Sequence, residues 1–217
     1  MFQIIYRKKL IYLYKMSSKT ICFKLTLVLL LALISNCNKN QLYDNNLSNV
    51  VNLNQKNFDT QITLNRSKNI VSIVHFYTMD DGKSSGYKLE FEKLASDYDL
   101  MFKVGAINCR DFKAICEKQE IKEYPTVKVY PPLPSPVWTY EGKLETSSMV
   151  SYMGKFIGNK VKELNMNNFD DFVTSNVNLP KTILFTDKKG TPLIFRALSV
   201  AFDVIFIFNF RKKLNSV

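Results

Sequence analysis

Residues 70–77, with the sequence IVSIVHFY, limit the possible folds of this 217-residue chain more than any other segment. The run is apolar almost throughout, rich in β-branched residues, and of strand rather than helix length. Such a run is typical of a strand that is buried on both faces in a sheet covered by helices on both sides. We therefore predict an α/β architecture with this segment as a central strand.

Strand and helix patterns alternate on both sides of this central strand. Predicted strands occupy residues 50–53, 70–77, 100–109, 126–131 and 137–140, and predicted helices occupy residues 54–64, 84–98, 110–120 and 146–157. Ser84 or Ser85 is expected to cap the second of these helices. The order predicts an α/β sandwich around a central sheet whose last two strands form an antiparallel hairpin.

The N-terminus has the pattern of a secretory signal peptide. Basic residues precede ten apolar residues at 25–34, and small residues follow at Ser35 and Cys37. We expect a signal over 1–37, with Met16 as an alternative start, and a polar linker over 38–48. An uncleaved signal anchor is the alternative, although ten apolar residues fall short of the roughly 20 that span a bilayer. The protein is thus expected in the endoplasmic reticulum lumen or outside the cell, with no stable membrane span after cleavage.

The formal net charge of +11 raises the question of an anionic partner. Many basic residues lie before the apolar N-terminal run or at the C-terminus, and others alternate with acidic residues. No basic stripe is interleaved with aromatic residues, as binding of single-stranded nucleic acid would need. We therefore expect no nucleic-acid partner.

The four cysteines divide into two pairs. Cys22 and Cys37 would leave with the signal, whereas Cys109 and Cys116 would remain and could form a disulfide in an oxidising lumen. The alternative is two buried thiols that pack as small apolar side chains. The single histidine, His75, leaves too few nitrogen and sulfur ligands for zinc, so we expect no metal.

Two Asn-X-Ser sequons begin at Asn46 and Asn65, and they are glycosylation sites only if the chain enters the secretory pathway.

Several phrases together resemble a thioredoxin domain of the protein disulfide isomerase type, over residues 49–158. In chain order they are NVVNLNQKNFD, VSIVHFYTMDDG, FEKLASDY, KVGAINC, ICEKQEIKEYPTVKVY and YEGKLETSSMVSYM. The resemblance implies a thioredoxin fold, with a central mixed sheet flanked by helices, and a cis peptide bond before Pro125. It also implies that residues 80–84 replace the Trp-Cys-Gly-His-Cys loop of the family.

Asp81 and Ser84 then stand at the two cysteine positions of a degenerate active-site loop that also contains Gly82 and Lys83. Disulfide exchange needs an attacking thiolate and a second thiol to resolve the mixed disulfide. The resemblance also matches the family's buried acid with His75. A phosphate-binding loop is excluded separately, because its first glycine would fall on Tyr77, so we expect no nucleotide. We interpret His75 as a hydrogen-bonded core residue rather than a catalytic one.

We therefore predict no catalytic residues and no cofactor. The resemblance implies a groove beside the cis-proline that takes an extended peptide, with Met79, Tyr124, Pro125 and Thr126 as contact residues and with Trp138 as a further apolar contact. The expected partner is an unfolded or extended polypeptide, or a chaperone. The alternatives are a residual thiol-disulfide oxidoreductase that uses the two remaining cysteines, and a passive spacer module.

Residues 159–217 resemble the start of the same domain a second time. Residues 161–176 repeat the pattern of residues 50–63, and residues 181–202 read as a strand, a loop and a helix. Only one further strand, at 203–210, follows. We interpret this part as an incomplete second thioredoxin-like unit, similar to redox-silent domains of disulfide isomerases and of J-proteins with thioredoxin-like repeats. It is either truncated or covered by a partner, because an open half-sheet exposes an apolar face.

Overall fold

A computed structural model describes residues 41–80, 82–175, 181–186 and 190–202, together with the backbone of 207–212. The predicted signal peptide, with Cys22 and Cys37, lies outside the described residues, and so does Asp81. Within the described ranges, no helix has the length and apolar character that crossing a bilayer would require.

Five strands form the first sheet, in the spatial order β1-β3-β2-β4-β5. They are β1 (Val51–Asn52), β2 (Val71–Tyr77), β3 (Phe102–Asn108), β4 (Thr126–Tyr130) and β5 (Trp138–Thr139). Strand β3 runs parallel to β1 and β2, whereas β4 is antiparallel to both β2 and β5. The predicted antiparallel hairpin at the end of the domain is therefore confirmed.

Strand β2 is buried along its whole length, as its apolar sequence predicts. Its alternating side chains point to opposite faces of the sheet and enter two separate apolar clusters. Ile73 lies in the cluster that also contains Phe91 and Met149, and Phe76 lies in the cluster that also contains Ile115. The predicted α/β sandwich is confirmed, with one core on each side of β2.

Helices cover both faces of this sheet. They are a π-helical turn (Asp59–Thr63) that continues as α1 (Leu64–Ser67), then α2 (Lys83–Gly86), α3 (Lys88–Asp97), α4 (Lys113–Lys118) and α5 (Thr146–Met153). The predicted serine cap is wrong, because α2 begins at Lys83 with Gly82 as its N-cap and no side-chain cap bond. Ser85 instead donates a hydrogen bond to the Gly82 carbonyl at 2.9 Å.

The C-terminal part forms a second, three-stranded parallel sheet in the order β6-β8-β7. Its elements are β6 (Lys162–Glu163), α6 (Phe169–Thr174), β7 (Lys181–Thr186), α7 (Leu193–Ala201) and β8 (Ile207–Lys212). The order and the strand directions are those of β1-β3-β2 in the first sheet.

The repeat extends to individual hydrogen bonds in the turn after the first strand of each sheet. The Asn54 backbone N–H donates to the Asn57 side chain, whose Nδ2 donates to the Asn52 carbonyl. In the second sheet, Asn165 and Asn168 make the same two bonds, the latter to the Glu163 carbonyl. The internal duplication predicted from sequence is therefore present as a repeated turn as well as a repeated strand order.

Helix α7 also contributes to the core of the first sheet. Ala197 is buried within the cluster that contains Ile73, and Leu193 packs against that cluster. Arg196 donates from Nη2 to the Ile157 carbonyl. This part of the second unit thus completes the packing around the end of α5.

A disulfide lies at the end of β3. Cys109 and Cys116 are joined there, with a Cα–Cα distance of 5.8 Å, and both residues are buried. Cys109 follows β3 and Cys116 belongs to α4, so the bridge ties this short helix to the sheet.

Replacing both cysteines by alanine should lower the free energy of unfolding by about 2.5 kcal/mol, the loop-entropy value for a ring of this length. Chemical denaturation of the oxidised protein and of the variant measures the difference. Reductant should lower the stability of the natural protein toward that of the variant and leave the variant unchanged. Equal stability of the natural protein with and without reductant would contradict a stabilising bridge.

A carboxylate from α3 accepts a hydrogen bond from a backbone N–H group at the start of α5. Glu90 Oε2 accepts from the Thr146 backbone N–H at 2.7 Å and from the Thr146 hydroxyl at 2.6 Å. These two hydrogen bonds lower the pKa of Glu90 below its ordinary value of 4.5. The contact links two helices that lie far apart in the sequence, through one of the N–H groups that a helix leaves unpaired.

Glu90→Gln should therefore destabilise the protein in a pH-dependent way, by about 1 kcal/mol at neutral pH after allowance for solvent screening. Since the folded pKa is lowered, this contribution is present above the unfolded-state value and is lost as pH falls through the folded one. Thermal or urea unfolding between pH 7 and pH 3 measures it. Glu92→Gln on the same helix is the control and should change the stability by under about 0.5 kcal/mol.

Candidate functional site

The loop between β2 and α2 is the position of the predicted degenerate active site. Gly82 has a φ of 58°, in the left-handed region that favours glycine, and Lys83 is exposed beside it. Ser84 begins the buried side of α2 and is only 1% exposed. The structure therefore brings these three predicted residues together at a helix start, while Asp81 lies outside the described residues.

An ion pair connects this loop to the loop that carries the disulfide. Arg110 Nη1 donates to both carboxylate oxygens of Asp80, at 2.9 and 2.8 Å. Both side chains are largely exposed, so the pair contributes little stability. The pair places the Asp80 carboxylate against the guanidinium of Arg110, which directly follows Cys109.

A groove of about 450 Å³ opens beside the loop. The Tyr124–Pro125 peptide bond at its edge is cis, as the family resemblance implies. The groove is lined by Lys83, Tyr87, Tyr124, Pro125, Thr126, Val127, Thr139, Tyr140, Glu141, Gly142, Lys143 and Leu144.

The predicted peptide-contact residues divide between this groove and other positions. Tyr124, Pro125 and Thr126 line it together with Lys83 of the degenerate loop. Met79 is 44% exposed but is not among the lining residues. Sequence reasoning missed the segment from 139 to 144, although its Glu-Gly turn was recognisable and the hairpin order already placed it beside β4.

A second groove, of about 870 Å³, adjoins the first along the hairpin turn. Trp138, predicted as a contact near the cis-proline, lines this second groove instead. Its other lining residues come from β5, the turn that follows it, α5 and the turn after α5. They are Thr139, Tyr140, Glu141, Gly142, Lys143, Ser147, Ser148, Ser151, Tyr152 and Lys155.

Tyr140 holds the wall that the two grooves share. Its hydroxyl donates to the Lys143 carbonyl at 2.9 Å, and its ring meets that of Tyr152 edge to face, with a centroid distance of 5.1 Å. Burial raises the pKa of the Tyr140 hydroxyl, which therefore stays protonated as a donor. A Cβ atom at Gly142 would lie 2.5 Å from that hydroxyl oxygen, so a larger residue there would have to displace the Tyr140 side chain.

His75 lies in the core on β2, not in a catalytic arrangement. Its Nδ1 is 2.7 Å from the Tyr43 hydroxyl oxygen, and its ring stacks on Phe91 with centroids 4.6 Å apart. Burial, with smaller effects of Tyr77 and Glu92, raises the pKa of Tyr43, so this phenol stays protonated. The hydrogen-bonded core role inferred for His75 from sequence is confirmed by these contacts.

Tyr43 belongs to a segment before β1 that the sequence analysis assigned to the polar linker of residues 38–48. It is fully buried, and the neighbouring Leu42 donates its backbone N–H to the Tyr77 hydroxyl at 3.1 Å. The Asn52 side chain donates to the Tyr43 carbonyl at 2.8 Å. The middle of the predicted linker is therefore part of the core beside β2.

The two sequons differ in their surroundings. Asn46 is exposed in a turn, where a sugar meets no packed neighbour. Asn65 is half-buried in α1, and its side-chain amide donates to the Gln61 carbonyl. Glycosylation of Asn65 would attach a sugar to the nitrogen that makes this hydrogen bond, whereas Asn46 makes no such bond from its side chain in the described residues.

The sequence of residues 49–155 matches the thioredoxin family. A candidate protein disulfide-isomerase of Dictyostelium discoideum is 33% identical over 161 residues, which cover 71% of this chain and 38% of that protein. Protein disulfide-isomerase 1 of the same organism is 32% identical over 122 residues, covering 53% of this chain and 32% of that protein. The DnaJ homolog subfamily C member 10 of Xenopus laevis is 24% identical over 128 residues, covering 59% of this chain and 15% of that protein.

Among solved structures, ERdj5 in crystal form I has the same fold, with a TM-score of 0.63 at 20% sequence identity. The match covers 76% of this chain and 22% of the ERdj5 chain. This chain thus spans well under half the length of each of these relatives. The sheet order, the flanking helices and these similarities agree, and the chain therefore carries a thioredoxin domain related to those of protein disulfide isomerases and of J-proteins with thioredoxin repeats.

Proposed function

We propose that this protein is a non-catalytic, thioredoxin-fold binding protein of the secretory pathway that holds unfolded polypeptides, or a chaperone partner, during protein folding. The observation that carries the proposal is the groove beside Pro125, which is open and lined by tyrosines, next to a loop that contains no cysteine. These two features support recognition of polypeptides without disulfide exchange.

The chemistry of the loop supports a binding role. Disulfide exchange requires a thiolate whose pKa is lowered at a helix N-terminus, and the loop offers Asp81 and Ser84 instead. A carboxylate does not attack a disulfide sulfur, and a serine hydroxyl is almost entirely protonated at neutral pH. The two cysteines that follow the linker are buried and joined to each other, so neither is a free thiol in this structure.

Three features support a secretory location. The N-terminal sequence has the order of a signal peptide, Cys109 and Cys116 are oxidised, and Asn46 presents an exposed sequon. The relatives named as disulfide isomerases and the structural similarity to ERdj5 point in the same direction. Residence in the endoplasmic reticulum lumen is therefore part of the proposal.

The binding role predicts that tyrosines in the groove contribute affinity for extended polypeptides. Tyr87→Ala and Tyr124→Ala should each weaken binding of a denatured, alkylated client about tenfold, as expected for aromatic contacts at an interface. Fluorescence anisotropy with a labelled client measures the affinity, and circular dichroism checks the fold. Leu89→Ala removes a more exposed apolar side chain from α3, outside the groove, and should leave the affinity unchanged.

Binding that is undiminished in both tyrosine variants would exclude this groove as the site. No binding at all by the folded protein would favour the alternative of a passive spacer.

The redox assignment predicts no reduction of insulin by dithiothreitol above the rate without protein. The double substitution Asp81→Cys with Ser84→Cys creates a Cys-Gly-Lys-Cys sequence at the start of α2, and it should introduce measurable insulin reduction. The control is Ser85→Cys, which adds one cysteine with no partner in the loop and should remain inactive.

Turnover by the natural protein that disappears in Cys109→Ser would establish the residual oxidoreductase in place of the binding role.

A further inference from the structure

The two grooves adjoin each other along the hairpin turn, because both are lined by residues 139–143. We refer to the two adjoining grooves together as the hairpin groove. Three lysines line it, Lys83 at one end, Lys143 in the middle and Lys155 at the other end, against a single carboxylate, that of Glu141. The hairpin groove therefore has an excess of positive charge.

These lysines are available to an incoming ligand. In the described ranges, the ion pairs join Lys88 to Glu92, Arg110 to Asp80 and Lys113 to Glu117, and none involves a lysine of the hairpin groove. All three groove lysines are exposed. Lys155 lies 5.4 Å from the centroid of the Tyr152 ring, which holds its ammonium group over the aromatic wall.

Aromatic side chains lie between the positive charges. Tyr87 and Tyr124 are near Lys83, while Trp138 and Tyr152 are near Lys155. Trp138 is 46% exposed, which is a large apolar surface for a side chain on a two-residue strand. The wall is fixed in advance by the Tyr140 hydrogen bond and its packing on Tyr152, so a ligand would not have to order it.

The backbone beside this groove suits an extended polypeptide. Strand β5 is the last strand in the sheet order, and both of its residues are exposed. Its outer backbone groups therefore face no other strand within the described part of the chain, and an edge of this kind pairs readily with an added strand. A nucleic acid could use the lysines and the aromatic rings, but it cannot pair with a strand edge.

On this basis we propose that the hairpin groove selects acidic, extended polypeptide segments that carry aromatic residues. The segment's carboxylates contact Lys83, Lys143 and Lys155, its rings pack on the tyrosines and Trp138, and its backbone lies along β5. This inference rests on the proposed binding function and specifies its substrate class.

The test compares three labelled, unstructured peptides of one length and with the same aromatic residues. The first carries glutamates, the second carries glutamines in their place, and the third carries lysines. Fluorescence anisotropy with the full protein should give the tightest binding for the glutamate peptide and the weakest for the lysine peptide, with about a tenfold difference between them. The preference should shrink as the salt concentration rises from about 50 to about 500 mM.

Charge reversal locates the selectivity. Lys143→Glu combined with Lys155→Glu should weaken the glutamate peptide by about fivefold to tenfold and strengthen the lysine peptide. The control variant combines Lys56→Glu with Lys118→Glu, which changes the net charge equally at exposed positions that line neither groove, and it should preserve the preference.

The outcomes separate this inference from the proposed function. Equal binding of all three peptides would overturn the selection of acidic segments and leave the binding role intact. If the folded protein bound none of the three peptides and no denatured client, both the inference and the proposed function would be overturned. A preference that survives in the groove variant but not in the control variant would place selectivity elsewhere. Tighter binding of a single-stranded oligonucleotide than of the glutamate peptide would also overturn the inference.

Discussion

The complete burial of β2 is the constraint on which the rest of the structure depends. A strand that has no face in water must have a layer of side chains on each side and a partner strand at each edge. The chain meets these needs with β3 and β4 at the edges, with helix α3 and helix α5 on one side and with the π-helical turn and α4 on the other. The loop after β2 is then held at a fixed edge of the sheet, directly before α2.

A polar side chain within such a strand needs a hydrogen-bond partner from another part of the protein. His75 occupies the position that the family resemblance assigns to a buried acid, and the Tyr43 hydroxyl contacts its Nδ1. Asn52 holds this tyrosine by donating to its backbone carbonyl, and the preceding Leu42 donates its backbone N–H to the hydroxyl of Tyr77. These contacts and the buried imidazole place the segment before β1 in the core. A buried polar group in that place stabilises only if its partner is supplied.

Under the proposed function, recognition and redox chemistry occupy different parts of the domain. The groove includes the cis-proline loop and the hairpin turn, in which the Tyr140 hydroxyl donates to the Lys143 carbonyl and lies against Gly142. Ser84, at one of the two cysteine positions, lines neither groove. Helix α7 of the second unit packs on the core of the first sheet through Ala197 and Leu193. The second unit in this way buries apolar surface against the first core.

Apolar periodicity and strand length report burial directly, so the amino-acid sequence by itself determined the main elements, their order and the α/β sandwich, whereas the thioredoxin fold was implied by the resemblance of its motifs to that family. The sequence also determined the absence of cysteines from the loop and the repeated Asn turns, which are matters of residue identity. Only the tertiary structure decided that Tyr43 reaches His75, that Trp138 lines the larger groove and not the one beside Pro125, and that the turn at 139–144 joins the two grooves. These contacts join residues that are far apart in the chain or on different elements, and local patterns carry no information about such distances. Met79 shows the same limit, because its exposure followed from its loop position but its separation from the groove did not.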